Sequence, residues 1–262
     1  MKILVTNDDG IFTQGLWTLV KALRNIAEVI VVAPDREQSG IGTAVTLRQP
    51  LRTHRVTPLV PEVEAYSVEG TPADSVILGL TKLAGSNIDL VVSGINPGAN
   101  MGDNVLISGT VGAALQGYLH GLPAIAVSVN AWDNPHLDTA ARLAALLAKR
   151  IESNHLPSNI FLNVNLPSLP LAQIKGLDIT RLASRSHTDE VEEGHDGKQV
   201  YYRLIRQTVV KTMDSKSDIW AMEQGHISIT PLQTILVSNP SPLIPDGLFS
   251  ELMQELQSPL DA

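Results

Sequence analysis

No cysteine occurs among the 262 residues. Disulfides, thiol nucleophiles and zinc–thiolate sites are therefore excluded together, and any bound metal must be held by oxygen or imidazole. No stretch approaches the ~18 apolar residues of a membrane-spanning helix. The first apolar run is cut off by Thr6-Asn-Asp-Asp9, too early for the core of a secretion signal. These absences predict a cytoplasmic protein with no membrane partner. Positive charge is also short: 19 Lys and Arg face 27 Asp and Glu, a formal charge of −8, with a pI of about 5.3. Such a balance argues against coating a nucleic-acid polymer, and an anionic substrate would need local countercharge. The chain has no internal repeat, no low-complexity segment and no Gly-x-Ser-x-Gly elbow.

What is present is alternation. Ile3-Leu-Val5 reads as a strand buried on both faces, and Leu16, Leu19, Val20, Leu23 and Ile26 recur at helical spacing. Glu28 to Pro34 reads as a second strand, closing a strand–helix–strand unit. The pattern repeats with helices over 73–83, 111–119 and 138–151, and strands over 88–92, 124–128 and 159–165. Such alternation predicts an α/β fold, a Rossmann-like and mostly parallel sheet with helices on both faces. The regularity fails after about Ala183. Asp196-Gly197 is a tight-turn signal and Val200 to Ile205 alternates, so residues 186–205 predict a hairpin arm that cannot bury its apolar face alone. A late strand over 226–230 and an amphipathic helix over 245–256 follow. The expected organisation is an α/β core over 1–185 and an arm, late strand and C-terminal helix over 186–262.

Ligands of open parallel sheets bind beyond the carboxyl ends of the strands, so the informative residues lie just after each strand. The first strand delivers Asn7-Asp8-Asp9-Gly10, the second Asp35-Arg36-Glu37-Gln38-Ser39-Gly40, and the strand over 88–92 is followed by Ser93-Gly-Ile-Asn-Pro-Gly-Ala-Asn100. A solvated turn or a helix cap accounts for a lone aspartate. Two adjacent carboxylates at a strand tip need a cation or a hydrogen-bond network. This oxygen-rich set suits magnesium, manganese or calcium rather than zinc or copper. Ser108-Gly109-Thr110 opens a helix and reads either as a simple N-cap or as an anion cradle that a neighbouring metal would complete. Arg36 either neutralises a substrate or pairs with nearby acids. Among the histidines, His226 at the start of the late strand is the candidate proton donor.

In this order, the segments Ile3-Leu-Val-Thr-Asn-Asp-Asp-Gly-Ile11, Val31-Val-Ala-Pro-Asp-Arg-Glu-Gln-Ser-Gly40, Gly70-Thr-Pro-Ala-Asp74, Val91-Val-Ser-Gly-Ile-Asn96, Ser108-Gly-Thr-Val-Gly-Ala-Ala114 and Ile227-Ser-Ile-Thr-Pro-Leu232 resemble the SurE family of survival-protein nucleotidases. The resemblance implies a metal-dependent phosphatase for nucleoside 5′- and 3′-monophosphates, with some members trimming polyphosphate. It places one divalent cation per subunit, Mg²⁺ or Mn²⁺, on Asp8, Asp9, Ser39 and Asn96, with Asp8, Asp9 and Asn96 catalytic and Gly40, Ser108, Gly109 and Thr110 holding phosphate. It further implies a homodimer or homotetramer with exchanged C-terminal segments. The chain departs from the family pattern at Asn104, where an acid is common, and at Ile107, where an aromatic ring is common. The family's acid before the late strand is kept as Asp218.

Attack by water and attack by Asp8 through a phospho-aspartyl intermediate are both compatible with these residues. A magnesium-binding receiver-like signalling module also has an acid pair after its first strand. It requires an Asp after the third strand, where this chain has Ser93-Gly-Ile-Asn96. A dinucleotide oxidoreductase requires Gly-x-Gly-x-x-Gly after the first strand, where Asp8 and Asp9 would repel a pyrophosphate.

Overall fold

Ile3, Leu4 and Val5 are all fully buried because alternate residues of the first strand enter different cores. The computed structural model describes residues 1–85, 87–131, 135–184, 187–208 and 214–233. In chain order its strands and helices are β1 (Lys2–Thr6), α1 (Gln14–Arg24), β2 (Glu28–Pro34), β3 (Thr53–Arg55), β4 (Glu64–Val68) and α2 (Pro72–Leu78). There follow β5 (Leu90–Pro97), α3 (Gly109–Leu119), β6 (Ala124–Asn130), α4 (Leu137–Glu152), β7 (Phe161–Pro167) and β8 (Gly176–Ile179). Last come β9 (His187–His195), β10 (Val200–Thr208), α5 (Asp218–Glu223) and β11 (His226–Pro231).

Nine strands form one sheet in the order β3-β4-β2-β1-β5-β6-β7-β11-β8. Neighbours run parallel except β3 against β4 and β11 against β7. Ile3 and Val5 pack with Leu16, Leu19, Val20 and Leu23 of α1 and the alanine face of α4, while Leu4 packs with Ile30, Val32, Val76 and Ala113 on the side of α2 and α3. The predicted α/β sheet with helices on both faces is thus the observed one. The helix expected over 73–83 is α2 continued by a π-helical turn over Gly79–Leu83.

The expected boundary at 185/186 does not coincide with the compact unit, which runs from Met1 to Leu232. The reason is β11: it inserts between β7 and β8, so the sheet is completed only by residues beyond 186. The hairpin arm forms as anticipated, β9 and β10 pairing antiparallel from Val200↔His195 to Thr208↔His187. Its register sets Val191 opposite Leu204, on the face that carries Tyr202, 66% exposed, and Leu204, 79% exposed. The helix expected over 245–256 lies outside the described residues.

Candidate active site

The strand order reverses at β1. The chain leaves β1 toward β2 and β4 on one side, then returns to β5 on the other. Crevices of open α/β sheets form at such a switch point. Here the residues after β1 are Asn7-Asp8-Asp9-Gly10 and the end of β5 carries Ile95, Asn96 and Pro97. Gly10 has φ of +104° and sits against the Arg36 backbone. Any Cβ there would meet Arg36 carbonyl carbon at 3.1 Å, so glycine lets the turn bring the second loop alongside. The Asn7 side chain stitches the turn, donating to Gly10 O at 3.0 Å and Thr13 Oγ1 at 2.8 Å.

Asp8 is buried, and its Oδ1 accepts a 2.5 Å hydrogen bond from the Thr110 hydroxyl at the start of α3. The Thr110 hydroxyl and amide both favour its charged form. Burial is the larger effect and raises its pKa, with Glu37 adding to the rise. Gly109 lies directly over this carboxylate: an added Cβ would stand 2.7 Å from Asp8 Cβ and 3.0 Å from Asp8 Oδ2. Burial pushes Asp9 up to about 7, helped by the charges of Asp8 and Glu37. Its Oδ2 is buried and without a hydrogen-bond partner.

Ser39 and Glu37 are linked by a 2.8 Å hydrogen bond, and Gln38 N donates to Asp8 O at 2.7 Å, so the second loop is fastened to the first. Asn96 donates from Nδ2 to Gly98 O at 2.6 Å. It lies between Ile95 and Pro97, which line a cavity of about 370 Å³ together with Asp9, Thr13, Gln14 and Glu37. Gly40 has φ of +73° and open space where a side chain would be. Ser108 caps α3 by accepting from Val111 N at 3.1 Å, which leaves its hydroxyl proton available.

Among the described residues no three His, Cys, Asp or Glu side chains group as a metal site. The two carboxylates, hydroxyl and amide nonetheless fit a hard divalent cation on charge. Burial disfavours the charge on both carboxyls, the charges of Asp8 and Glu37 adding to the effect at Asp9, and Asp9 Oδ2 lacks any hydrogen-bond partner. Arg36 does not relieve them. Its guanidinium is exposed and stands 3.9 Å from Asp35.

His226, the expected proton donor, is not in this crevice. It hydrogen-bonds Asp178 at 2.8 Å, and β5, β6 and β7 separate its strand from β1. The sequence puts Asn100 on this rim without assigning it a role, and it singles out none of Ser128, Asn163 and Asn165; all four are buried. Asn100 N donates to Asn165 Oδ1 at 2.8 Å, and its side chain reaches Ser128 Oγ at 2.9 Å and Thr110 Oγ1 at 3.5 Å. The signal lay in Phe161-Leu-Asn-Val-Asn165, where two amides recur at strand period on a fully buried element.

The sequence model described as "Survival protein SurE" matches residues 3–189. The chain belongs to the SurE family. A protein of Dehalococcoides mccartyi named "5'-nucleotidase SurE" is 55% identical to this SurE-family chain over 248 residues, 94% of each. A protein of the same name from Legionella pneumophila is 45% identical over 234 residues, covering 88% of this chain and 90% of the relative. The crystal structure of the SurE protein from Aquifex aeolicus matches with a TM-score of 0.77 at 32% identity, covering 97% of this chain and 100% of that one. Asp218, the acid expected before the late strand, is fully buried here. It accepts from the amides of Gly102 at 2.8 Å, Ala183 at 3.0 Å and Ile219 at 2.8 Å, tying the turn before Ser108 to the later chain.

Proposed function

We propose that this chain is a metal-dependent phosphomonoesterase that hydrolyses nucleoside 5′-monophosphates to nucleoside and phosphate, with 3′-monophosphates and polyphosphate as further substrates. The observation that carries it is the Asp8–Asp9 pair: one carboxylate anchored by Thr110, the other with a buried oxygen lacking a partner. The relatives named 5'-nucleotidase at 44–55% identity support the substrate class. One Mg²⁺ or Mn²⁺ per subunit, held by Asp8, Asp9, Ser39 and Asn96, would polarise a phosphoryl oxygen and lower the pKa of water. Around it the chain's own residues divide the work. Thr110 and the bare Gly109 fix the place of Asp8, while the Ser108 hydroxyl, the amides of Gly109 and Thr110 and the open backbone of Gly40 offer donors to phosphate oxygens. The cavity lined by Thr13, Gln14 and Pro97 receives the nucleoside and limits water around the ester. The test is phosphate release from a panel of nucleoside 5′- and 3′-monophosphates with added Mn²⁺ or Mg²⁺. No release from any of them would sink the reading.

Base preference is where Ile107 matters. Its carbonyl accepts from Gly42 N at 2.8 Å, which fixes it beside the second loop. If residue 107 faces the base, Ile107→Tyr adds a stacking surface worth about 1–3 kcal/mol and widens the spread of kcat/KM across bases by roughly tenfold. An unchanged spread places residue 107 away from the base.

The same reading includes a cytoplasmic homodimer or homotetramer built through the arm and the C-terminal segment. No helix among the described residues is long and apolar enough to cross a membrane. The exposed Val191, Tyr202 and Leu204 face needs cover that the hairpin itself does not supply. Deleting residues 187–208 is expected to give a smaller assembly by light scattering. A full-length monomer at micromolar concentration would contradict this.

A further inference from the structure

We propose that Asn100 is a positioning residue that fixes the polarity of the Thr110 hydroxyl and, through it, the carboxylate of Asp8. The inference rests on the metal-dependent phosphatase reading, because it concerns how the metal-ligand set is held. It starts from a row of polar side chains where a sheet face should be apolar. Thr6 at the end of β1, Ser93 within β5, Ser128 within β6, and Asn163 and Asn165 within β7 are each fully buried. Register sets Thr6 beside Ser93, Ala126 beside Asn163, and Ser128 beside Asn165. Polar groups so deeply placed are costly unless they are hydrogen-bonded. Most of the bonds made here converge on one residue.

Asn165 grips the Asn100 backbone at both ends, its Oδ1 accepting from Asn100 N at 2.8 Å and its Nδ2 donating to Asn100 O at 3.0 Å. Asn163 Nδ2 donates to the same carbonyl at 2.8 Å. The loop is therefore held by contacts to the backbone of Asn100, which leaves the side chain for another task. That side chain donates from Nδ2 to Ser128 Oγ at 2.9 Å and to Thr110 Oγ1 at 3.5 Å. A hydroxyl has a single proton. A carboxylate only accepts, so Thr110 sends that proton to Asp8 Oδ1, 2.5 Å away, and the Asn100 amide donor on the hydroxyl's lone pair leaves it no competing acceptor. Were the partner at 100 an acceptor, the proton would be drawn from Asp8 and two acceptors would face each other. Asn100 thus holds one oxygen of Asp8 in a fixed bond and leaves the other for the site. Groups that orient metal ligands in this way typically change affinity or activity ten- to a hundredfold when removed.

The experiment compares wild type with Asn100→Ala, Thr110→Val and Thr110→Ser in three measurements: Mn²⁺ affinity by calorimetry, kcat and KM for a nucleoside monophosphate, and unfolding in chelator. Asn100→Ala keeps the backbone bonds from Asn163 and Asn165. It is expected to weaken Mn²⁺ binding and lower kcat by roughly tenfold or more, with KM changed about twofold or less. Thr110→Val should behave the same way, and Thr110→Ser should recover most of the affinity lost in Thr110→Val. Wild-type Mn²⁺ affinity in both Asn100→Ala and Thr110→Val would overturn the proposal. So would Thr110→Ser binding as weakly as Thr110→Val, or a raised KM with kcat intact, which would make Thr110 a phosphate ligand instead. Should Asn100→Ala fail to fold, Asn100→Ser, which stays polar but is too short to reach Thr110, replaces it, and wild-type Mn²⁺ affinity in that variant would overturn the proposal. A wild type that neither binds Mn²⁺ nor releases phosphate in its presence overturns the phosphatase reading itself, a result visible before any variant is made.

Discussion

Replacing Asp9 with asparagine is expected to lower the rate of phosphate release by about a hundredfold or more while leaving the chain folded. In chelator the same change is expected to stabilise the protein near neutral pH. The sign follows from the raised pKa. An unfolded Asp9 titrates near its ordinary 3.8, whereas in the folded chain burial and the charges of Asp8 and Glu37 move it up to about 7. Below about pH 4 both states hold the proton and the site costs nothing. Between about 4 and 7 the folded state keeps a proton that the unfolded state has released, so stability falls as pH rises, and above 7 the cost is complete. Its size is a few kcal/mol at most, reduced by the solvent that Asp9 still touches. Asp8 is shifted in the same direction, so Asp9→Asn should make the decline shallower without abolishing it. Thermal unfolding in chelator from pH 4 to 8, for wild type and variant, checks this. Equal slopes would mean that the two carboxylates do not burden the metal-free fold.

Gly109→Ala is expected to be nearly as damaging to activity, for a steric reason. Inside a helix, Gly to Ala ordinarily stabilises by about 0.5–1 kcal/mol. At this position the new methyl would stand 2.7 Å from Asp8 Cβ and 3.0 Å from its Oδ2, closer than two unbonded heavy atoms tolerate. Either Asp8 turns away from Thr110 or the start of α3 retreats, and both separate residues that the site needs together. The expected outcome is a loss of about a hundredfold in kcat with weaker Mn²⁺ binding and a melting temperature lowered by only a few degrees. Wild-type kcat in this variant would show that the close approach of α3 to Asp8 is not required.

Much of this arrangement was legible in the sequence because its signals are local. The parallel strands are apolar runs bounded by turns, Thr71 and Ser108 announce the helices they cap, and Asp196-Gly197 marks the arm's turn. The strands that went unread, β3, β4 and β8, depend on distant partners, β4 on β2 with Glu64 beside Ile30. β3 is three exposed residues held only by β4, and β8 is a four-residue strand whose partner β11 follows it by some fifty residues of chain. The same limit explains the site. Asp8, Asp9 and Ser39 sit past strand ends and Asn96 in the last residues of β5, which runs on to Pro97 beyond the expected end at 92, and topology alone directs attention there. Asn100, Asn163 and Asn165 act through bonds between residues more than sixty positions apart, and no local pattern of polarity assigns such pairs. His226 shows the converse: a histidine at a strand start on the correct rim, but hydrogen-bonded to Asp178 and separated from β1 by the width of several strands.

The central claim is that a divalent cation held by Asp8 and Asp9 is needed to cleave a phosphomonoester. The most direct test follows inorganic phosphate release from a nucleoside 5′-monophosphate by one purified sample in Mn²⁺, again after chelation and removal of the chelator, and again after Mn²⁺ is restored. The account predicts release, loss of nearly all of it, and recovery. Undiminished release from the metal-stripped protein would contradict it.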